Sequence, residues 1–183
     1  GADTDSGDRL FSLPLADVLD IRRQATSLEA VAAYSYLTAN LTGSDLPERV
    51  QAYRVTANTF DLLGVSPARG RTFSERDVSA DAVQVAVISD GLWKRRFGSD
   101  PKVVGRTITL NGSAFEAVGV MARTSELPVF NFKGDLWVPW MIGPADPADR
   151  ASLGSGTAIA RIRADVPRSK AESELQTIMR RLA

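Results

Sequence analysis

The stretch QVAVISDGLWKRRFGSDPKVVGRTITLNGSAFEAVGVM, residues 84–121, decides the fold. Its opening belongs to a short apolar run, Val83 to Ile88, too short for a helix and suited to a buried strand. Ser89 is a helix cap, and Leu92, Trp93 and Phe97 then fall on one helical side with Lys94, Arg95 and Arg96 mostly outward. Gly98 and Pro101 end that helix. Asn111-Gly112 follows between two alternating apolar runs, Arg106–Leu110 and Ser113–Val120, which is the strongest short-range signal for a hairpin. A strand, a helix and a hairpin in this order make a βαββ block.

Working toward the N-terminus, Asn58 caps a short helix carrying Phe60, Leu62 and Leu63, and Gly64 ends it. Pro67 and Gly70 read as a loop, and Ser74 and Asp77 as a capping box with Asp in place of Glu. Ala32–Leu41 and Glu48–Ala57 read as two strands around the turn cluster 42–47, hence a second hairpin. The first helix starts near Pro14 with Ser12 as its cap, places Leu15, Val18, Leu19 and Ile21 on one side, and carries Arg22 and Arg23 near its end. Thr26 opens a short further segment with Leu28 and Val31 inward. Residues 1–7 read as a disordered, ragged end.

Toward the C-terminus, Val138-Pro139-Trp140 sits between turn residues, and 141–156 reads as a loop or linker. Thr157–Arg163 alternates as a strand does. The last segment is an amphipathic helix: Ser169 and Glu172 form a capping box, and Ala171, Leu175, Ile178, Met179 and Leu182 share one face. The fold class is therefore α+β.

Composition narrows the chemistry. The chain has 183 residues, with 22 Lys and Arg against 22 Asp and Glu, a formal net charge of zero. A nucleic-acid binder would carry a basic excess. No cysteine is present, which excludes disulfides, thiolate catalysis and zinc–thiolate sites; no histidine is present, which excludes Ser-His-Asp and Cys-His sites. The sequence has no GxxxxGK[ST] phosphate loop and no run of about 20 apolar residues. Glu75, Asp77 and Asp81 lack the spacing of a calcium loop, and Ser155 lies in Gly-Ser-Gly rather than a nucleophile elbow. No residue is thus assigned to catalysis, to a cofactor or to a metal. Gly70-Arg71 reads as a turn with a surface ion pair. Lys94, Arg95, Arg96, Trp137 and Trp140 are the candidates for an interaction surface: the cations for lipid headgroups or a partner as against a solvated helix face, the indoles as an exposed patch as against packing.

Four phrases in fixed order carry a resemblance: AYRVTANTFDLLGVSPARGRTF (52–73), VAVISDGLWKRRFGSDPKVVGRTITLNGSAFEAVGVM (85–121), DLWVPW (135–140) and TAIARIRADVPRSKAESELQTIMRRL (157–182). Together they resemble the MacB-like periplasmic core domain of FtsX/MacB-type ABC-transporter permeases. The opening LPLADVLDIRRQATSLEAVAAYS (13–35) is similar to that of large orphan-type permeases. The resemblance implies two lobes: a porter-like α/β lobe from 8–57 plus 155–183, and a smaller inserted α/β lobe, Sabre-like, from 58–154. It implies a place outside the cytoplasmic membrane, between the first and second membrane helices. It implies a non-catalytic domain that couples cytoplasmic ATP hydrolysis to work in the periplasm, by mechanotransmission or export. The implied partners are the permease's own transmembrane helices and a cytoplasmic ATPase, with a periplasmic adaptor and a second permease as further candidates. The alternatives are a substrate- or adaptor-binding module of the same system and, more remotely, a stand-alone hydrolase. Segments 13–25 and 169–183 are expected to end near one another on the membrane-facing side.

Overall fold

The computed structural model describes residues 12–43, 46–79, 81–123, 134–140 and 153–182. Nine strands form one mixed sheet. In chain order they are β1 (Ser12–Pro14), β2 (Leu28–Thr42), β3 (Glu48–Val55), β4 (Pro67–Gly70), β5 (Val85–Ile88), β6 (Thr107–Leu110), β7 (Ser113–Met121), β8 (Leu136–Pro139) and β9 (Ser155–Ile162). Among the described residues four α-helices accompany them: α1 (Leu15–Gln24), α2 (Thr59–Leu63), α3 (Asp90–Phe97) and α4 (Arg168–Leu182). The strand order is β1-β9-β2-β3-β8-β5-β7-β4, with β6 pairing both β2 and β7. β3 with β8 and β5 with β7 are parallel; the other pairs are antiparallel.

The βαββ block forms as its residues dictate. Val85–Ile88 is buried on both faces, so its run is apolar rather than alternating. The Ser89 hydroxyl accepts from the Leu92 amide at 3.0 Å, and Gly98 closes α3 in the left-handed conformation at φ 57°. Asn111 and Gly112, at φ 51° and 82°, supply the two positive dihedrals of a tight hairpin turn.

Four local readings are corrected. Ser12 does not cap α1; it is strand residue β1, paired with Thr157, and Pro14 occupies the cap position. The segment opened by Thr26 is the start of β2. Pro67 and Gly70 are not loop: they bound β4, antiparallel to β7, where a proline can begin a strand without losing a ladder donor. Ser169 and Glu172 do not form a capping box. α4 begins at Arg168, the Lys170 and Ala171 amides donate to the Pro167 carbonyl, and Glu172 pairs with Arg168 at 2.8 Å. A strand not foreseen, β8, brings Leu136–Pro139 between β3 and β5. Of the 141–156 linker, Ser155 and Gly156 belong to β9; 141–152, like residues 1–7, lie outside the described residues.

Three apolar clusters pack on the two sheet faces. Val31 and Ala33 of β2 join α1 and α4 in one cluster, built on Leu15, Val18, Ile21, Ala171 and Ile178. Ala39 and Leu41, further along β2 on the same face, join Leu92, Val103, Ile108 and Val120 beneath α3. Tyr34 points to the opposite face and joins Phe60, Phe73, Val87 and Trp137. One 15-residue strand therefore touches every cluster. α1 and α4 lie side by side in the first of them.

Candidate functional site

Among the five residues proposed as an interaction surface, the structure separates cations from indoles. Trp137 is 4% and Trp140 3% exposed. Trp137 meets Phe60 edge to face with centroids 5.7 Å apart, and Trp140 donates its indole N–H to the Leu153 carbonyl at 3.0 Å. Both belong to the core, so an exposed tryptophan patch is ruled out by burial.

The three cations lie on α3, and their neighbours divide them. Lys94 pairs with Asp90 one turn earlier at 2.7 Å. Arg95 bridges two elements: its guanidinium reaches Glu48 at the start of β3 at 2.8 Å and Asp135 before β8 at 2.7 Å. Burial lowers its proton affinity, but these two carboxylates outweigh it and raise the value above the ordinary arginine range. Arg96 and Arg106 line a cavity of about 70 Å³ beside Phe97, over which Arg106 stacks at 5.6 Å. Arg69 stacks on Trp93 in the same way at 5.1 Å. Of the triplet, Arg95 ties α3 to the sheet, which the sequence did not reveal because Glu48 is 47 positions away.

The second feature is the junction of α1, β2 and α4, which sequence reading missed. Glu174 on α4 accepts from the Thr26 amide at 2.9 Å and the Thr26 hydroxyl at 2.8 Å. Its other oxygen accepts from the Ser27 amide at 2.9 Å and from the Ser27 hydroxyl. Four donors converge on one carboxylate and hold its pKa down to about 2, against an ordinary 4.5; the Ser27 hydroxyl contributes most. The signal available in the sequence was Thr26-Ser27 after the first helix, a pair of hydroxyl residues at an elbow. Beside the clasp an open groove of about 640 Å³ runs along α4, lined by Gln24, Lys170, Ser173, Thr177, Ile178 and Arg181.

A third feature is the turn after β4. Arg71 pairs with Asp77 through both guanidinium nitrogens, at 2.7 and 2.9 Å, which is the ion pair the sequence suggested. Asp77 also accepts from the Ser74 amide at 2.7 Å, completing the capping box. Burial pushes the Asp77 carboxyl up, but Arg71 and Ser74 outweigh it, and its pKa lies below the usual range. Among the described residues no three His, Cys, Asp or Glu side chains converge as a metal site would require, and no helix is long and apolar enough to cross a membrane. The geometry is that of a braced scaffold with cationic and grooved surfaces.

Comparison with known proteins agrees with this geometry. The family model described as MacB-like periplasmic core domain matches residues 2–178. The macrolide export ATP-binding/permease protein MacB of Campylobacter jejuni (strain 81-176) is 26% identical over 124 residues, 67% of this chain and 19% of that protein. MacB of Burkholderia thailandensis is 26% identical over 167 residues, 90% of this chain and 24% of that protein. The chain thus spans about a fifth to a quarter of the length of these relatives. The crystal structure of the periplasmic region of MacB from Actinobacillus actinomycetemcomitans has the same fold, with a TM-score of 0.72 at 22% identity over 98% of this chain and 78% of that one. The extracellular domain of the noncanonic ABC-type transporter YknZ from Gram-positive bacteria superposes with a TM-score of 0.63 at 15% identity, over 89% of this chain and 78% of that one. The chain belongs to the family of MacB-like periplasmic core domains, the parts of ABC-transporter permeases that lie in the periplasm.

Proposed function

We propose that this domain is non-catalytic and couples ATP hydrolysis in the cytoplasm to mechanical work or export in the periplasm. Its immediate partners in this reading are two membrane helices of its own permease, the first and the second, and a cytoplasmic ATPase domain or subunit. A periplasmic adaptor and a second permease are further partners, and the exposed face of α3 around Lys94 is the proposed contact for one of them. The porter-like lobe is 8–57 with 155–183 and the inserted lobe 58–154, so β2 lies in the first and its far end pairs with β6 of the second.

The observation that carries this reading is the packing of α1 against α4. These are the first and the last helices described in the chain, and they share one apolar cluster. Two membrane helices joined to such a pair would deliver their displacement to one body rather than to two independent ends. The lack of histidine and cysteine throughout the sequence accords with a part that moves and binds rather than one that performs acyl transfer.

The test is the full reading frame together with its topology. Apolar spans of about 20 residues are expected before and after this chain. A protease added outside the cytoplasmic membrane should cut within it. A frame with no such spans would remove the mechanical reading.

A further inference from the structure

We propose that Glu174 is the positioning residue through which α4 moves β2: its carboxylate fixes α4 to the elbow where α1 ends and β2 begins, so that a displacement of α4 is delivered to the sheet. The proposal rests on the coupling role given above and assigns it a point of attachment.

Apolar packing alone does not supply such a point. Within α4 only Ala171 and Ile178 are fully buried, while Leu175, Met179 and Leu182 are partly covered. Hydrophobic contact is non-directional, and a helix seated only by it can slide or roll. Hydrogen bonds from two consecutive backbone amides are directional and hold one register. Glu174 takes both amides, from Thr26 and Ser27, and both hydroxyls.

The elbow is in turn fixed to the sheet. Ser27 is 2% exposed, and its carbonyl accepts from the Arg163 amide, just past β9, at 3.0 Å. One residue later β2 begins, pairs with β9, β3 and β6, and reaches all three clusters, including the one beneath α3. The other described tie from the end of α1 is of a different grade. Arg22 meets Glu75 at 3.1 Å with side chains 44% and 65% exposed, a solvent-screened pair that contributes little. Glu174 is thus the strong attachment and Arg22–Glu75 a weak one.

The chain contains no cysteine, so paired spin labels are unambiguous. Labels at the exposed Gln176 and Glu29 report α4 against β2; labels at Glu29 and Gln51 report the sheet alone. Glu174→Ala is expected to widen the first distance distribution about two-fold and leave the second unchanged. Glu174→Gln keeps the shape but sets an amide against two N–H donors, and is expected to fall between the two widths. A first distribution as narrow in both variants as in the parent chain overturns the proposal. Should Glu174→Ala disturb the sheet pair as well, Glu174→Gln alone decides. The same labels in the membrane-embedded permease separate the two claims. If ATP produces no joint displacement of Gln176 and Glu29 relative to the membrane helices in the parent protein, the coupling role fails, while the widths measured on this chain still decide the attachment.

Discussion

Gly156 lies flat against the indole of Trp140. A Cβ built on Gly156 would stand 2.7 Å from two ring carbons of Trp140 and 2.4 Å from the Tyr34 carbonyl oxygen. The strand β9 passes between a buried ring and the backbone of β2, and no side chain fits there. Neither neighbour yields cheaply, because one is backbone and the other is pinned by its bond to Leu153. Gly156→Ala is expected to lose about 2 kcal/mol or more. The check is urea unfolding, where the midpoint should fall with the slope unchanged.

Glu174 sets an acid-dependent part of the stability. Its folded pKa, about 2, lies below the ordinary 4.5. A depressed carboxylate contributes fully above its unfolded value and loses that contribution as the pH falls through its folded value. The stability difference between the parent chain and Glu174→Gln should therefore be constant above about pH 5 and shrink as the pH approaches about 2. The cationic side chains beside it in the groove are Lys170 and Arg181. Denaturant titrations at a series of pH values measure it; a difference independent of pH would contradict the clasp.

Asp77 is expected to be costly to remove. It caps the 3₁₀ turn at Glu75–Val78, receives Arg71 in bidentate fashion, and is only 6% exposed. Asp77→Ala strips the Ser74 amide and Arg71 of their acceptor and should cost about 2 kcal/mol. Its pKa is lowered, so this contribution too is present above the ordinary carboxylate range and fades in acid. Thermal unfolding at neutral pH, compared with Arg71→Ala, reports how much belongs to the capping box rather than the ion pair.

The hairpin turn gives a local test. Gly112 holds φ 82° in open space, so Gly112→Ala suffers backbone strain without a clash. A loss of about 1 kcal/mol is expected. Amide exchange should rise first at Asn40, whose N–H donates to the Asn111 side chain at 2.9 Å.

Lys94 and Arg95 should behave differently. Arg95→Ala breaks the bridges to Glu48 and Asp135 and is expected to lower the unfolding temperature. Lys94→Ala removes one exposed helical pair and should change stability by less than about 0.5 kcal/mol. A loss of permease function in Lys94→Glu without loss of stability would favour α3 as a contact surface.

Much of this was legible in the sequence, and the exceptions have a common cause. Signals written within a few residues were read correctly: Ser89 before α3, Gly98 after it, Asn111-Gly112 between β6 and β7. β4 was missed because Pro67 and Gly70 are turn residues in isolation. They become strand ends only when β7 lies alongside, with Gly119 bare enough to admit the carbonyl of Arg71. β8 was missed because its four residues have no alternation, being buried on both faces between strands from distant parts of the chain. The tryptophans, whose sequence context allows either packing or an exposed patch, are core for the same reason. The capping box at Ser169 and Glu172 was a valid local pattern overruled by Pro167, whose carbonyl already starts the helix two positions earlier. The acceptor that matters, Glu174, faces a segment 148 positions away, and nothing in its own helix announces it.

The long β2 strand also bears on how the molecule comes apart. The proposed division into two lobes invites the expectation of two melting transitions. Here the same backbone ladder serves every cluster, so neither half retains a complete set of strand partners once the other is lost. Denaturation should be all-or-none, with coincident curves from Trp137 on one sheet face and from Trp93 and Trp140 on the other, and under the proposed coupling role the domain would be pulled as a unit rather than in stages.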